Sequence, residues 1–279
     1  MFFVPGEFLV ARRFALILAC AIAMAGPSQA QEAKPAEPNV AAANQAVLSQ
    51  LPFEDRQDFD DARRGYIATI PDNPDRYAFL KGDAPATVNP SLWREAQLDA
   101  INGLFKVTDG VYQIRGLSVA ALTIVEGQTG IIVIDTLASP GEARTAIDLY
   151  FSHRPKKPVV AVIYSHDHGD HYGGASALVS PADAASGKVR VIAPAGFMAA
   201  LTEESSVATN LAGARGQFQF GATLPVGERG TVDYGEGETV TRGPGGAGPI
   251  VPPNDVIRKP IESRTIDGVK FEFQLALDT

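Results

Sequence analysis

An α/β fold is the reading this sequence supports, and three observations carry it. Pairs of short apolar runs joined by glycine turns have the pattern of antiparallel hairpins. Apolar strand-like runs then alternate with helical spacing, giving the order β-α-β-α of a sheet with helices packed on it. A cluster of His and Asp follows directly on the apolar run at 158–164. Open α/β sheets bind their ligands there, at the carboxyl ends of strands.

Taken in order, the first thirty residues stand apart. Arg12 and Arg13 precede an apolar core, Phe14 to Ala25, too short to serve as a membrane anchor. Ser28 and Ala30 supply the small residues of a signal-peptidase site. Residues 1–30 therefore read as a signal peptide, with cleavage after Ala30, export to a bacterial periplasm or beyond, and no stable membrane anchor afterwards. Cys20 is the only cysteine. A lipoprotein reading at Ile17-Leu18-Ala19-Cys20 would leave a very short apolar core. The mature chain then has neither disulfides nor thiolate chemistry.

Residues 31–50, rich in Ala, Pro, Glu and Asn, read as a flexible leader. Residues 51–103 read as a helical and irregular extension. Phe59, Ala62, Arg63 and Tyr66 mark one short helix, and Trp93, Ala96, Ala100 and Ile101 mark another. The main domain, 104–279, opens with two hairpins. One turns at Asp109-Gly110, and the other joins 120–125 to 131–135 through Glu126–Gly130. Ser139-Pro140 starts a helix whose buried face is Ala143, Ala146, Ile147, Tyr150 and Phe151. A buried strand follows at 158–164, then a helix from Gly174 to Val179, a strand at 189–192 and a helix over 197–213. The Gly- and Pro-rich stretch 221–254 reads as a surface loop, with a substrate lid as the alternative. Val269, Phe271, Phe273, Leu275 and Leu277 alternate with polar residues as a half-buried strand that stops mid-pattern at Thr279. The sequence thus reads as an N-terminal fragment.

Composition is that of an ordinary globular protein, 45% hydrophobic and 20% charged. Without Glu7, Arg12 and Arg13 the chain has 22 basic and 31 acidic residues, a net charge of −9. That balance argues against nucleic acid as a general partner. It leaves room for an anionic small substrate, because bound metal ions dominate their local field.

Three of the four histidines fall within six residues, in His166-Asp167-His168-Gly169-Asp170-His171. In an extended loop, His166 and His168 point the same way and can grip one ion. Adjacent Asp170 and His171 are expected to diverge, which would let Asp170, or the pair, reach a second. Imidazole nitrogen and carboxylate oxygen suit catalytic zinc, where one position stays open for water. Asp167 reads as a supporting or solvent-facing residue, and His153 as an ordinary residue at a helix end.

The motif, followed by Gly173-Gly174, resembles the metallo-β-lactamase superfamily, and Asp135 matches the aspartate which that family places at the end of an earlier strand, beneath the metal loop. The resemblance sharpens to the alkylsulfatase (dodecyl sulfate hydrolase) family through residues 51–59, 89–94, 103–113, 158–164 and 264–275. It implies a metallo-β-lactamase-like αβ/βα sandwich, incomplete here at its C-terminus, and a zinc-dependent hydrolase of alkyl sulfate esters. It further implies two zinc ions, His166, His168, Asp170 and His171 as ligands, and Asp170 as the group that orients or deprotonates the attacking water. Its substrate is a small anionic amphiphile, and full-length members are homodimers. The family draws further ligands from sequence beyond Thr279. No histidine follows His171, and Glu203, Glu204, Asp233, Glu236, Asp255 and Asp278 read as solvated surface acids. A metal held by the motif alone would be under-coordinated. Two other readings stand beside this one: a lactamase-like or thioesterase-like hydrolase of the same superfamily, and a non-catalytic exported metal-binding module.

Overall fold

A computed structural model describes residues 34–51, 55–71, 77–203, 215–221, 223–234 and 248–276. The expected signal peptide lies outside the described residues. The first element corrects the expected leader. Helix α1 spans Pro38–Leu48, with Pro at its start and no buried residue. Its alanines carry high helix propensity and Pro38 fits the first turn. The Asn44 side chain donates to Ala86 O at 2.9 Å.

Helix α2, Gln57–Arg63, stops short of Tyr66 because Gly65 turns the chain at φ +76°, and a Cβ there would overlap Lys106 O. Strand β1, Tyr66–Ala68, follows instead of the predicted helical turn. Helix α3, Pro90–Asp99, is capped by Asn89, whose side chain accepts from Ser91 N, and it buries Trp93 and Ala96.

Strands β2 (Gly103–Thr108), β3 (Val111–Arg115), β4 (Leu122–Glu126) and β5 (Ile131–Ile134) form the two expected hairpins. Helix α4, Pro140–His153, crosses over to β6, Val159–Ile163. Strands β7 (Arg190–Pro194) and β8 (Asp255–Ile257) complete one sheet of eight, ordered β1 to β8. Pairing is antiparallel from β1 to β5 and parallel from β5 to β8. Since β1 joins this sheet, residues 51–103 are not structurally separate from the domain that follows.

Alternation along the strands divides the core between two faces. Ile131, Val133 and Val162 pack with Ala146 and Tyr150 of α4 on one side. Ile132, Ala161, Ile163, Ile192 and Ile257 face the other. That second face is covered by a hairpin of β9 (Ile261–Ile266) and β10 (Val269–Gln274), through Val269, Phe271 and Phe273. The expected strand at 269–277 is thus present over 269–274, with 277–279 outside the described residues.

A continuous helix from Gly174 to Val179 does not form. The chain makes a one-turn helix α5, Gly169–Tyr172, then a 3-10 turn, Ala175–Ala177, and helix α6, Pro181–Ala185. Helix α7 covers Phe197–Glu203, and the rest of the helix expected over 197–213 lies outside the described residues. Parts of 221–254 are packed rather than loose: Thr231, Val232, Asp233 and Val251 are buried, and Gly248 N bonds Gly173 O at 2.9 Å. Residues 235–247, the middle of the expected surface loop or lid, are outside the described residues. Among those described, no helix is long and apolar enough to cross a membrane.

Candidate metal centre

The site begins where two parallel neighbours end. Strand β6 delivers Tyr164, fully buried and stacked on Phe197 at 5.1 Å between ring centroids, and the next residues leave the sheet as a loop. Beside it, β5 ends in Asp135, which bonds back to Ile163 O through its N–H at 2.9 Å. Asp135 then takes φ +58°, a left-handed conformation that side chains rarely adopt outside Asn, Asp and Gly. This turn aims its buried carboxylate at the loop.

Three donors meet that carboxylate. Ser165 N donates to Oδ1 at 2.9 Å and the Ser165 hydroxyl to Oδ2 at 2.8 Å. His171 Nδ1 lies 2.8 Å from the same Oδ2. The main chain is fastened too, since Thr136 N donates to His171 O at 2.7 Å. Gly173 and Gly174 permit this approach: a Cβ on either would overlap Ala138 O or Thr136 O. The two glycines after the motif are steric necessities.

His166, His168 and His171 gather as expected. The His166 ring centroid is 4.7 Å from that of His168 and 4.0 Å from that of His171. Asp170 and His171 do not diverge. The single turn of α5 folds them together, with Asp170 Oδ2 3.1 Å from His171 Nε2. Burial works against a charge on His171, but its bonds to Asp135 and Asp170 outweigh it and push the imidazole up to about 9. Burial likewise works to raise the Asp170 carboxyl, yet His171 holds it below the ordinary range. Burial, with two neighbouring imidazoles, pulls His166 down. Asp167 is half-buried, and His153 is exposed in the last turn of α4.

Ser165 is the residue sequence reading missed. Its hydroxyl touches Asp135, His166 Nδ1 at 2.9 Å and, more distantly, His171 Nδ1 at 3.5 Å. A small hydroxyl between the apolar strand and the first histidine was its only signal. The later acids divide. Asp255 is ion-paired to Arg190 and Arg264, and Glu203 is exposed. Asp233 is buried, not solvated, because 231–233 pack inward. Glu204, Glu236 and Asp278 lie outside the described residues.

The donors suit zinc by type and by grouping, with three imidazoles and two carboxylates on adjoining loops. They do not form a finished cage: among the described residues, no three His, Cys, Asp or Glu are arranged to hold an ion as they stand.

The metallo-beta-lactamase superfamily pattern matches residues 115–252. An alkyl/aryl-sulfatase of Saccharomyces cerevisiae is 48% identical over 257 residues, covering 88% of this chain and 39% of that protein. A linear primary-alkylsulfatase of a Pseudomonas species is 44% identical over 275 residues, covering 93% and 40%. The solved structure of a stereoselective inverting secondary alkylsulfatase from Pseudomonas superposes with a TM-score of 0.81 at 47% identity, covering 88% and 40%. The chain spans about two fifths of the length of these relatives. It carries the metallo-β-lactamase superfamily pattern over 115–252 and is homologous to the alkylsulfatases.

Proposed function

We propose that this chain carries part of the catalytic centre of a zinc-dependent hydrolase that converts an alkyl sulfate and water to an alcohol and sulfate. One observation carries the reading: His166, His168, Asp170 and His171 converge with Asp135 in a chain 44–48% identical to alkylsulfatases over nearly all its length. His166, His168, His171 and Asp170 would hold the metal, two ions in the complete site. Bound zinc supplies Lewis acidity and a water whose pKa falls towards neutrality.

The chain's own residues divide the remaining work. Asp135 fixes His171 from behind. Asp170, held ionised by His171, orients the attacking water and accepts its proton. The substrate is a small anionic amphiphile, not a nucleic acid, and the hydrolase works as a homodimer after export to the periplasm or outside the cell.

The test is metal stoichiometry on the purified chain, with sulfate release from dodecyl sulfate followed on the same sample. Zinc bound weakly at the motif and lost on His168→Ala, with no sulfate release by this part of the centre alone, is the expected result. Hydrolysis of a β-lactam or a thioester without sulfate release would overturn the substrate class. Tight zinc binding without turnover would mark a metal-binding module instead.

A further inference from the structure

The Ser165 hydroxyl stands at a junction where every proton has a determined place. It has one hydrogen to give and lone pairs to receive. On one side lies Asp135 Oδ2 at 2.8 Å, and on the other His166 Nδ1 at 2.9 Å. Two oxygens that close need a proton between them, and a carboxylate is the stronger acceptor because its bond is charge-assisted. The hydroxyl hydrogen therefore belongs to Asp135. His166 Nδ1 then faces an oxygen with no hydrogen left to offer, so a close contact there requires the proton on Nδ1. The same oxygen, Oδ2, also receives His171 Nδ1 at 2.8 Å, which fills its two lone pairs.

We infer that Ser165 is a positioning residue that selects the tautomer of His166, so that one carboxylate, Asp135, sets two histidines at once: His171 directly and His166 through the serine hydroxyl. His166 is held with its proton on Nδ1 and Nε2 bare, ready to ligate. Imidazole in water prefers the opposite tautomer, with the proton on Nε2. The tautomer itself needs no metal and is independent of the proposed function. Its consequence, an imidazole prepared for a cation, rests on that reading.

The experiment is long-range proton–nitrogen correlation NMR on the metal-free chain labelled with 15N at histidine, recorded at about pH 8, where an imidazole of ordinary pKa is neutral. Wild type, Ser165→Ala and Ser165→Thr are compared. Ser165 is exposed, so truncating it opens no core cavity. His166 should carry its proton on Nδ1 in wild type and Ser165→Thr, and revert mainly to Nε2–H in Ser165→Ala. An Nε2–H form in wild type, or an unchanged tautomer in Ser165→Ala, overturns the inference. Zinc titration of the same samples reads the consequence: Ser165→Ala should bind about 10–100-fold more weakly and Ser165→Thr near wild type, as losing a ligand's outer partner typically does. Equal affinity in all three overturns the preparatory role. No zinc binding by any of them overturns the metal reading while leaving the tautomer result standing.

Discussion

Strand β5 is flanked by two loops that meet aspartates, and the two do different jobs. At its entry, Asp267 from the β9–β10 turn accepts from Thr129 N at 2.9 Å, Gly130 N at 2.7 Å and the Thr129 hydroxyl at 2.8 Å. At its exit, Asp135 also takes three donors, from Ser165 and His171. Both aspartates have positive φ, +44° and +58°. Those around Asp267 are backbone amides and a hydroxyl that have nothing further to do. One donor to Asp135 belongs to an imidazole whose second nitrogen meets Asp170. The first arrangement is a clasp between two turns, and the second fixes the histidine loop against the end of β5.

Cutting the carboxylate at each end should separate these roles. Asp135→Ala is expected to weaken zinc binding about 100-fold, the upper end for removing a ligand's outer partner, measured by competition with a chromogenic chelator. Asp267→Ala should leave zinc affinity unchanged within a factor of two. It should instead lower stability by about 1–3 kcal/mol, read from urea denaturation, as bonds to an ionised acceptor are lost at a partly exposed site. Equal losses of zinc affinity in both variants would erase the distinction.

A third carboxylate sharpens it by having too few donors. Glu142, in the first turn of α4, is buried, and its Oε2 accepts from Ala138 N at 3.0 Å. Oε1 accepts no hydrogen bond among the described residues, although Ser118 lies near it. Burial, only partly offset by the bond from Ala138, pushes Glu142 up to about 7, whereas Asp267 is held below the ordinary range. In Asp267, burial acts upward but the bonds from Thr129 and Gly130 outweigh it. The sign follows from linkage: an acid whose folded pKa is raised loses stability as pH climbs from the unfolded value, near 4.5, to about 7, then levels off. Glu142→Gln should flatten this decline and gain about 1–2 kcal/mol over wild type at pH 8, relative to their difference at pH 4. A difference in stability between wild type and Glu142→Gln that stays constant from pH 4 to pH 8 would contradict it. The smallest effect belongs to α1, which buries nothing. Asn44→Ala should move the denaturation midpoint by less than about 0.5 kcal/mol equivalent.

What was legible in the sequence follows the strength of local pattern. The two hairpins, α4 and β6 declare themselves through turn glycines, helical spacing and an unbroken apolar run. The histidines declare the centre by clustering. Short elements defined by their partners were not legible: β1 and β8 have three residues each and are strands because β2 and β7 lie beside them. Helix α1 was hidden by composition, since alanine and proline also mark loose segments. Around the metal loop, the convergence of Asp170 on His171 depends on a four-residue helix too short to leave a period. The function of Ser165 depends on φ at Asp135, thirty residues earlier, which no local pattern encodes.

Strand order in the large sheet is the order of synthesis, β1 through β8. Each new strand finds its partner already present at the growing edge, and none must wait for a later one. A chain emerging from a ribosome, or threaded amino-end first through a pore, could lay this sheet down strand by strand, keeping search distances short for the earlier pairings. The long wait falls between β7 and β8, where some sixty residues intervene. Until β8 and the β9–β10 hairpin arrive, one whole apolar face stands uncovered, and the histidine loop is complete before the fold behind it is closed.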